Sequence, residues 1–273
     1  MYPLDVVKTR FQLQVTNGQS THAHYTSIMD CFKRIIQEEG LWRLYRGILP
    51  PILVEAPKRA IKFSANEQYS KLYKKVFGYQ QMTQPLSILT GVSAGMTEAF
   101  VVVSSDLVKI RLQDKHNTGR YKSTLDCVVK ICREEGPLTF FRGLEATMWR
   151  HAAWNGGYFG VIHGVKKALP PGDTPQGALL NNILAGTIGG TVGTILNTPF
   201  DVAKTRIQNH ISSAGLRPKY VWALPSAKLI FQEEGFSALY KGFVPKVLRL
   251  GPGGGILLVV FDSVSDWLKK NVL

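Results

Sequence analysis

The chain is built from a pattern that recurs three times, and this recurrence limits its fold more than any other feature. One string reads Asp-x-x-Lys-x-Arg-x-Gln, and its copies start about 100 residues apart, at Asp5, Asp106 and Asp201. A second string, with Glu-Glu-Gly and then an aromatic residue, a base and glycine, follows each copy at residues 38–47, 134–143 and 233–242. Shared order and spacing indicate a threefold internal repeat. We expect the repeats to occupy residues 1–78, 79–170 and 171–273.

Each repeat combines apolar stretches with a short amphipathic helix. The segment SIMDCFKRIIQEEG places its apolar side chains on one helix face. Residues 174–200 contain no charged side chain, and this stretch is long enough to cross a bilayer. Glycines four residues apart favour close helix packing in lipid, and they occur at Gly91–Gly95, Gly186–Gly190 and Gly189–Gly193. The sequence therefore predicts an all-α membrane protein.

Composition narrows the range of functions. Lys and Arg number 33 against 19 for Asp and Glu, and the net charge of +14 suits an anionic partner. A basic repeat protein that binds nucleic acid is one alternative. The Lys and Arg residues, however, sit at repeat-fixed positions beside apolar spans, so we expect the protein not to bind nucleic acid. We find no nucleotide loop, metal-ligand spacing or nucleophile–base pair, and expect neither enzyme activity nor a metal or cofactor. The three cysteines are expected to be buried, reduced thiols.

The combined pattern resembles that of the mitochondrial carrier family of solute transporters, and the resemblance covers essentially the whole chain. It implies a pseudo-threefold bundle of three repeats, each with two transmembrane helices and a short matrix helix. It also implies a monomer in the mitochondrial inner membrane, whose central substrate site opens alternately to cytosol and matrix. The middle and last repeats are most similar to carriers that exchange the oxodicarboxylates 2-oxoadipate and 2-oxoglutarate.

The Asp-Lys strings are expected to form a gate at the matrix end of the substrate cavity. Asp and Lys three residues apart share a helix face, and the resemblance implies that each Asp pairs with the Lys of the next odd-numbered helix. Ion pairs whose desolvation cost nearly cancels their attraction suit a gate that opens in every cycle. A glutamine one turn beyond each Lys could brace the pairs. The expected pairs are Asp5–Lys109, Asp106–Lys204 and Asp201–Lys8, with Gln12, Gln113 and Gln208 as braces.

A second gate is expected near the cytosolic ends of the even-numbered helices. There the family has an aromatic–acid–x–x–base string, whereas this chain reads NEQYS, IHGVK and FDSVS. Serines replace two of the bases and His163 replaces an acid, so Lys166–Asp262 is the one charge pair that remains. We therefore expect a weak cytosolic gate and a cytosol-open state in the absence of substrate. The gate residues are Glu67, Tyr69, His163, Lys166 and Asp262.

The aromatic–basic–glycine triplets precede the even-numbered helices. Free N–H groups at a helix start can hold a phosphate, and the resemblance implies bound cardiolipin. Bases that snorkel to the membrane surface are the alternative. The lipid-binding candidates are Arg46, Gly47, Arg142, Gly143, Lys241 and Gly242.

Counting along the helices from the triplets places the substrate site near the middle of the membrane. Two arginines that face one cavity can clamp two carboxylates, because guanidinium binds a carboxylate in bidentate fashion. Carriers of oxo-acids resemble this arrangement, and the polar neighbour His151 could then hydrogen-bond the oxo group. Two further bases are candidates for a carboxylate, although Glu55 could neutralise at least one of them. The candidates are Arg150, His151, Arg249, Lys58, Arg59, Glu55 and Asn155.

Two expectations about the whole carrier remain open. Other di- or tricarboxylates, such as malate or citrate, are the alternative substrates, and a nucleotide is disfavoured because no obvious aromatic platform adjoins the arginines. The later repeats have about twenty apolar residues before their Asp, and the first has four. We therefore expect the first helix to lack its outer part, with impaired insertion or transport unless a longer form exists.

Overall fold

A computed structural model describes the backbone of residues 2–14, 25–169, 175–211 and 218–248, and the side chains of the same residues except 166 and 175–180. Within these ranges the regular structure is helical, and one order of elements repeats: a helix that carries the Asp-x-x-Lys string, a short helix, a 3-10 turn and the start of a further helix. The all-α prediction is confirmed for these ranges. The helices are α1 (Tyr2–Leu13), α2 (Ile28–Glu39), α3 (Leu49–Phe77), α4 (Gln84–Gln113), α5 (Thr124–Glu134), α6 (Leu144–Ala168), α7 (Pro175–Asn209) and α8 (Ala223–Glu234), with 3-10 turns at Leu41–Tyr45, Pro137–Phe141 and Phe236–Tyr240.

The long helices have the dimensions of membrane spans. Helix α7 contains 35 residues, which corresponds to about 50 Å at the usual rise per residue. Helix α7 includes all but the first residue of the uncharged stretch at residues 174–200. Within the described ranges, α4 is the one helix that is both long and apolar enough to cross a membrane by length and composition.

Small residues set the spacing between the long helices. Helix α6 packs between α4 and α7, and α3 packs on α4. A Cβ at Gly95 would lie 2.6 Å from Nδ2 of Asn155, and one at Gly193 would lie 2.8 Å from the backbone oxygen of Trp154. Only glycine permits such contacts, so the predicted close packing is confirmed at these positions. Gly186 differs, because nothing approaches its Cβ position within 4 Å.

Each short helix packs on the end of the long helix that precedes it and forms a small apolar core there. Ser27 and Ser123 cap α2 and α5 by accepting a hydrogen bond from the backbone N–H three residues on. Cys31 and Cys127 lie inside these cores, where burial raises the pKa of each thiol to about 12. Cys132 is exposed, so the expectation of three buried thiols is wrong for this residue.

Glycine is required where each short helix turns back toward the next long helix. Gly40, Gly136 and Gly235 end the Glu-Glu-Gly strings with φ of 88°, 86° and 85°. A side chain disfavours this backbone conformation, whereas glycine adopts it freely. The corner brings the aromatic–basic–glycine triplet to the start of the next long helix. The repeated glycines therefore have a structural cause.

Candidate functional site

Charged side chains from α1, α4 and α7 meet at one end of these helices, and we call the six residues the ion-pair ring. Each pair joins two different repeats, so the ring closes around all three. The three partnerships are the ones expected from the sequence. The pairs are Lys8–Asp201 with an N–O distance of 2.7 Å, Lys109–Asp5 at 3.1 Å and Lys204–Asp106 in direct contact.

The three expected bracing glutamines lie in different environments. Nε2 of Gln12 donates to Oδ2 of Asp201 at 2.8 Å, as expected for a brace. Gln113 instead accepts a hydrogen bond from the hydroxyl of Thr9 at 2.7 Å. Gln208 donates to two backbone carbonyls, at 3.2 and 3.3 Å. Among the described contacts, Gln12 alone reaches an ion pair, because the other two amides bind groups of the neighbouring helices.

Beside the ring lies a second charged layer that was not expected from the sequence, and we call it the Arg–Glu layer. Each arginine follows a ring lysine by two residues and pairs with the second Glu of the Glu-Glu-Gly string of its own repeat. Its Nε also donates to a backbone carbonyl of another repeat, at 2.6, 3.3 and 3.1 Å. The signal available in the sequence was that this arginine and this glutamate recur in every repeat. The pairs are Arg10–Glu39, Arg111–Glu135 and Arg206–Glu234, and the carbonyls belong to Gln113, Gln208 and Gln12, respectively.

Two acids of this layer, Glu39 and Glu234, stay ionised at physiological pH. Burial raises the pKa of Glu234, but hydrogen bonds from Arg206 and Lys241 outweigh it and bring the pKa from 4.5 to about 2. Burial raises the pKa of Glu39, but the hydrogen bond from Arg10 and the positive charges of Arg10 and Arg43 together outweigh it, so the pKa is lowered. A lowered folded-state pKa stabilises the fold above the ordinary pKa, so this contribution is lost as pH falls from 4.5 towards 2.

Two cavities lie against the ring, and their walls share Lys8, Arg150, His151 and Asp201. The larger cavity, of about 400 Å³, is lined by all the ring residues and by acids and bases of α3 and α4. The smaller cavity, of about 250 Å³, lies between α6, α7 and the helical segment at residues 243–248. Walls with so many charged groups suit a small polar anion. The side chains that line the smaller cavity alone are Lys62, Trp154, Asn155, Thr194, Asn197 and Lys246.

Arg150 lies between two acids of the ring. One terminal nitrogen is 3.8 Å from Oδ2 of Asp106, and Nε is 3.8 Å from Oδ1 of Asp201. The same terminal nitrogen is 2.7 Å from Nε2 of His151. Guanidinium can only donate, so Nε2 accepts and the imidazole proton lies on Nδ1, which faces Oε2 of Glu98 at 3.5 Å. In this conformation His151 orients Arg150 rather than offering a free donor to an oxo group.

Three further charged side chains line the cavities without having been expected at the site. Glu98 is 1 % exposed and its Oε2 lies 3.2 Å from Nζ of Lys62. Nζ of Lys246 lies 3.2 Å from Oδ2 of Asp201 and donates to Oδ1 of Asn197 at 2.6 Å. An ionisable residue within an apolar helix is costly in a membrane and marks a functional position. That signal was present in the sequence, but it does not identify the partners.

The remaining expected substrate residues line one of the two cavities or lie beyond the described ranges. Nζ of Lys58 and Nε of Arg59 each lie 2.9 Å from a different oxygen of Glu55. Glu55 therefore contacts both bases. Asn155 is buried and donates to the backbone oxygen one turn before it, at 2.8 Å. Arg249 lies outside the residues that the structure describes.

An aromatic side chain adjoins Arg150, contrary to expectation. Trp154 follows Arg150 by one helical turn and lines the smaller cavity. Its ring stacks on Tyr158, with centroids 5.1 Å apart, and also contacts Gly193 of α7. The aromatic ring of Trp154 beside Arg150 therefore removes the reason for disfavouring a nucleotide.

At the opposite end of the helices, the described polar groups contact their own helix or a neutral neighbour. Glu67 pairs with Lys71 one turn along α3, at 2.6 Å, and both are exposed. The hydroxyl of Tyr69 lies 3.1 Å from that of Thr97 on α4. Nδ1 of His163 faces a backbone oxygen of its own helix at 3.5 Å. Asp262 and the side chain of Lys166 lie outside the described residues.

The basic residue of each triplet connects its repeat to the next. Arg142 donates to the backbone oxygen of His210 at 2.8 Å, and Lys241 donates to that of Gln14 at 2.6 Å. Arg46 donates to a backbone oxygen in the second repeat. Gly47, Gly143 and Gly242 have positive φ at the corners that follow these bases. Arg46 and Gly47 also line an open groove of about 790 Å³ between the first two repeats.

Comparison with known proteins gives consistent matches along the chain. A family model described as mitochondrial carrier protein matches residues 1–77, 80–172 and 176–272. A probable mitochondrial 2-oxodicarboxylate carrier of Schizosaccharomyces pombe is 58% identical over 99% of this chain and 89% of its own length. Mitochondrial citrate transporter D of Aspergillus niger is 56% identical, with the same coverage. The mitochondrial 2-oxodicarboxylate carrier of Mus musculus is 44% identical over 99% of this chain and 90% of its own length.

Proposed function

The chain belongs to the mitochondrial carrier family, and from this membership we propose that it exchanges the oxodicarboxylates 2-oxoadipate and 2-oxoglutarate across the mitochondrial inner membrane. The proposed substrate class rests on one observation: relatives from yeast to mouse that match nearly the whole chain are named 2-oxodicarboxylate carriers. A cavity walled by Arg150 and several lysines supports it, because these cations bind carboxylates.

The fold proposed for transport is a pseudo-threefold bundle of six transmembrane helices. These are α1, α3, α4, α6, α7 and the helix that includes residues 243–248, with α2, α5 and α8 on the matrix side. The ion-pair ring is the matrix gate of this bundle. Its side chains are only partly exposed, so desolvation offsets much of their attraction and substrate can tip the balance.

Substrate is held between the ring and the cytosol. Arg150 grips one carboxylate in bidentate fashion, and it leaves its two ring acids as it does so. His151 keeps the guanidinium oriented and reaches the oxo group once the contact with Arg150 changes. Arg249, three residues after Lys246 in the sequence, supplies a further cation. Lys58 and Arg59 share Glu55, and either one can leave it to meet a carboxylate at the entrance.

The cytosolic gate is weak in this proposal, so the carrier rests open to the cytosol. Its residues are those named from the sequence, with Glu67 and Tyr69 on α3 and His163 on α6. Cardiolipin binds at the corners between repeats, where the backbone N–H groups at a helix start donate to its phosphate. The open groove beside Arg46 and Gly47 is one of these places. The protein works as a monomer without nucleic acid.

The test is exchange in liposomes that contain the purified protein. Vesicles are preloaded with 2-oxoglutarate, and uptake of labelled 2-oxoadipate, 2-oxoglutarate, malate, citrate or ADP is measured. We expect the fastest uptake with the two oxodicarboxylates and none without internal substrate. The similarity to a citrate transporter makes citrate the second candidate. If citrate is taken up and neither oxodicarboxylate is, the proposed substrate is overturned and the family membership stays intact.

A further inference from the structure

We propose that Lys246 is the binding partner of the second substrate carboxylate, in the smaller cavity, and that it exchanges Asp201 for this carboxylate when substrate binds. The inference rests on the proposed function, because it concerns how a dicarboxylate is held. Nothing in the repeat pattern marks this lysine, since the matching positions in the first two repeats are Pro51 and Thr147, which carry no charge. Its contacts alone identify it.

The contacts at Asp201 show more positive charge than one carboxylate requires. Its Oδ2 lies 2.7 Å from Nζ of Lys8, 2.8 Å from Nε2 of Gln12 and 3.2 Å from Nζ of Lys246. Its Oδ1 lies 3.8 Å from Nε of Arg150. Three cations therefore surround a single acid. Since Lys8 and Gln12 already satisfy Oδ2 at shorter distances, Asp201 keeps close partners when Lys246 leaves.

The walls of the two cavities carry surplus positive charge. The larger cavity is lined by six bases and five acids, which nearly balance. The smaller one is lined by four bases, namely Lys8, Lys62, Arg150 and Lys246, and by one acid, Asp201. The charge of Lys62 is compensated by Glu98, whose Oε2 lies 3.2 Å from Nζ of Lys62. Because Lys8, Arg150 and Asp201 line both cavities, the two sets of walls are counted together, and their eight bases and five acids leave an excess of three positive charges that attracts a dicarboxylate.

The groups around Lys246 form a polar pocket for a carboxylate. Nζ donates to Oδ1 of Asn197 at 2.6 Å and lies 3.5 Å from the hydroxyl of Thr198. Asn197 and Thr194 are both less than 5 % exposed and line the same cavity. Lys246 and Arg150 both reach the carboxylate of Asp201, so a short dicarboxylate can span them. One carboxylate then binds Arg150 and the other binds Lys246.

This exchange connects substrate binding to the gate. When Lys246 and Arg150 turn to the substrate, Asp201 retains Lys8 and Gln12 but loses two of its three cations. The attraction that holds this corner of the ring weakens as a result. A ligand shifts a conformational equilibrium only by binding one state better than the other. Competition for Lys246 supplies such a difference.

The experiment compares two ligands that differ in one carboxylate. Thermal stabilisation of the detergent-solubilised protein is measured with 2-oxoglutarate and with 2-oxopentanoate, which keeps the oxo-acid end and lacks the second carboxylate. In the unaltered protein we expect 2-oxoglutarate to bind at least about tenfold more tightly, as a charged hydrogen bond provides. In Lys246→Gln that preference is lost, whereas affinity for 2-oxopentanoate is unchanged. Lys246→Arg restores the preference, and the exposed Lys71→Gln serves as control.

Each outcome of this experiment decides one claim. An unaltered preference in Lys246→Gln overturns the role of Lys246 and leaves the proposed function standing. Absence of stabilisation by 2-oxoglutarate in the unaltered protein overturns the proposed function, and this inference with it. If Lys246→Gln does not fold, Lys246→Met removes the charge at similar volume, and the same loss of preference is expected.

Discussion

The two ends of the helix bundle use their charged residues in opposite ways. At the ring end, acids and bases from different repeats meet, and the side chains of Lys204 and Asp106 are 4 % and 22 % exposed. At the other end, Glu67 and Lys71 pair within one helix and are 68 % and 74 % exposed. A pair within one exposed helix cannot hold two repeats together. Among the described residues, ion pairs between repeats occur at the ring end and beside the cavities, as between Lys62 and Glu98, whereas the pair at the other end stays within one helix.

The largest expected effect is at the Arg–Glu layer. Arg111→Met leaves Glu135 buried without its main partner, and removing one member of a buried pair costs about 3–5 kcal/mol. Thermal unfolding in detergent should therefore show a large loss of stability. The control is Arg120→Met, which removes an exposed pair with Glu134 and should cost about 0–1 kcal/mol. Equal losses in the two variants would show that the layer does not connect the repeats.

A smaller effect is expected at the opposite end, where neutral groups hold α3 against α4. The hydroxyls of Tyr73 and Ser93 lie 2.7 Å apart. Tyr73→Phe should cost about 1 kcal/mol, as for an ordinary hydrogen bond, and the loss should not vary with salt because no charge is removed. Tyr79→Phe, at an exposed tyrosine, is the control. A strong salt dependence would mean that charges hold this end as well.

The sequence predicted the parts of the site that recur, and the parts that depend on tertiary packing were missed. Lys8 and Asp201 were paired on the strength of the family resemblance, which the repeated string carries, and the structure brings the two side chains together. Arg150 was placed by counting from a repeated triplet. Glu98 and Lys246 occur once each, and their partners lie on other helices. No spacing within the sequence specifies such neighbours.

The repeats also differ in their hydrogen-bond contacts at positions where their sequences match. Gln12 and Gln113 occupy matching positions, yet only the first contacts an ion pair of the ring among the described contacts. The difference lies at Nε2, which donates to Asp201 in Gln12 and to the hydroxyl of Tyr2 in Gln113, whereas both amide oxygens accept a threonine hydroxyl. A symmetric sequence pattern therefore does not imply symmetric contacts.

The most direct test of the difference between the two ends is the side from which the cavity can be reached. Thr194 lines the smaller cavity and is 3 % exposed. It is replaced in the variant Thr194→Cys with Cys132→Ser, while Cys31 and Cys127 remain buried. A membrane-impermeant maleimide is applied without substrate to mitoplasts and to inverted inner-membrane vesicles. We expect labelling at least about tenfold faster from the cytosolic side, as for a strongly populated open state. Faster labelling from the matrix side would contradict the account.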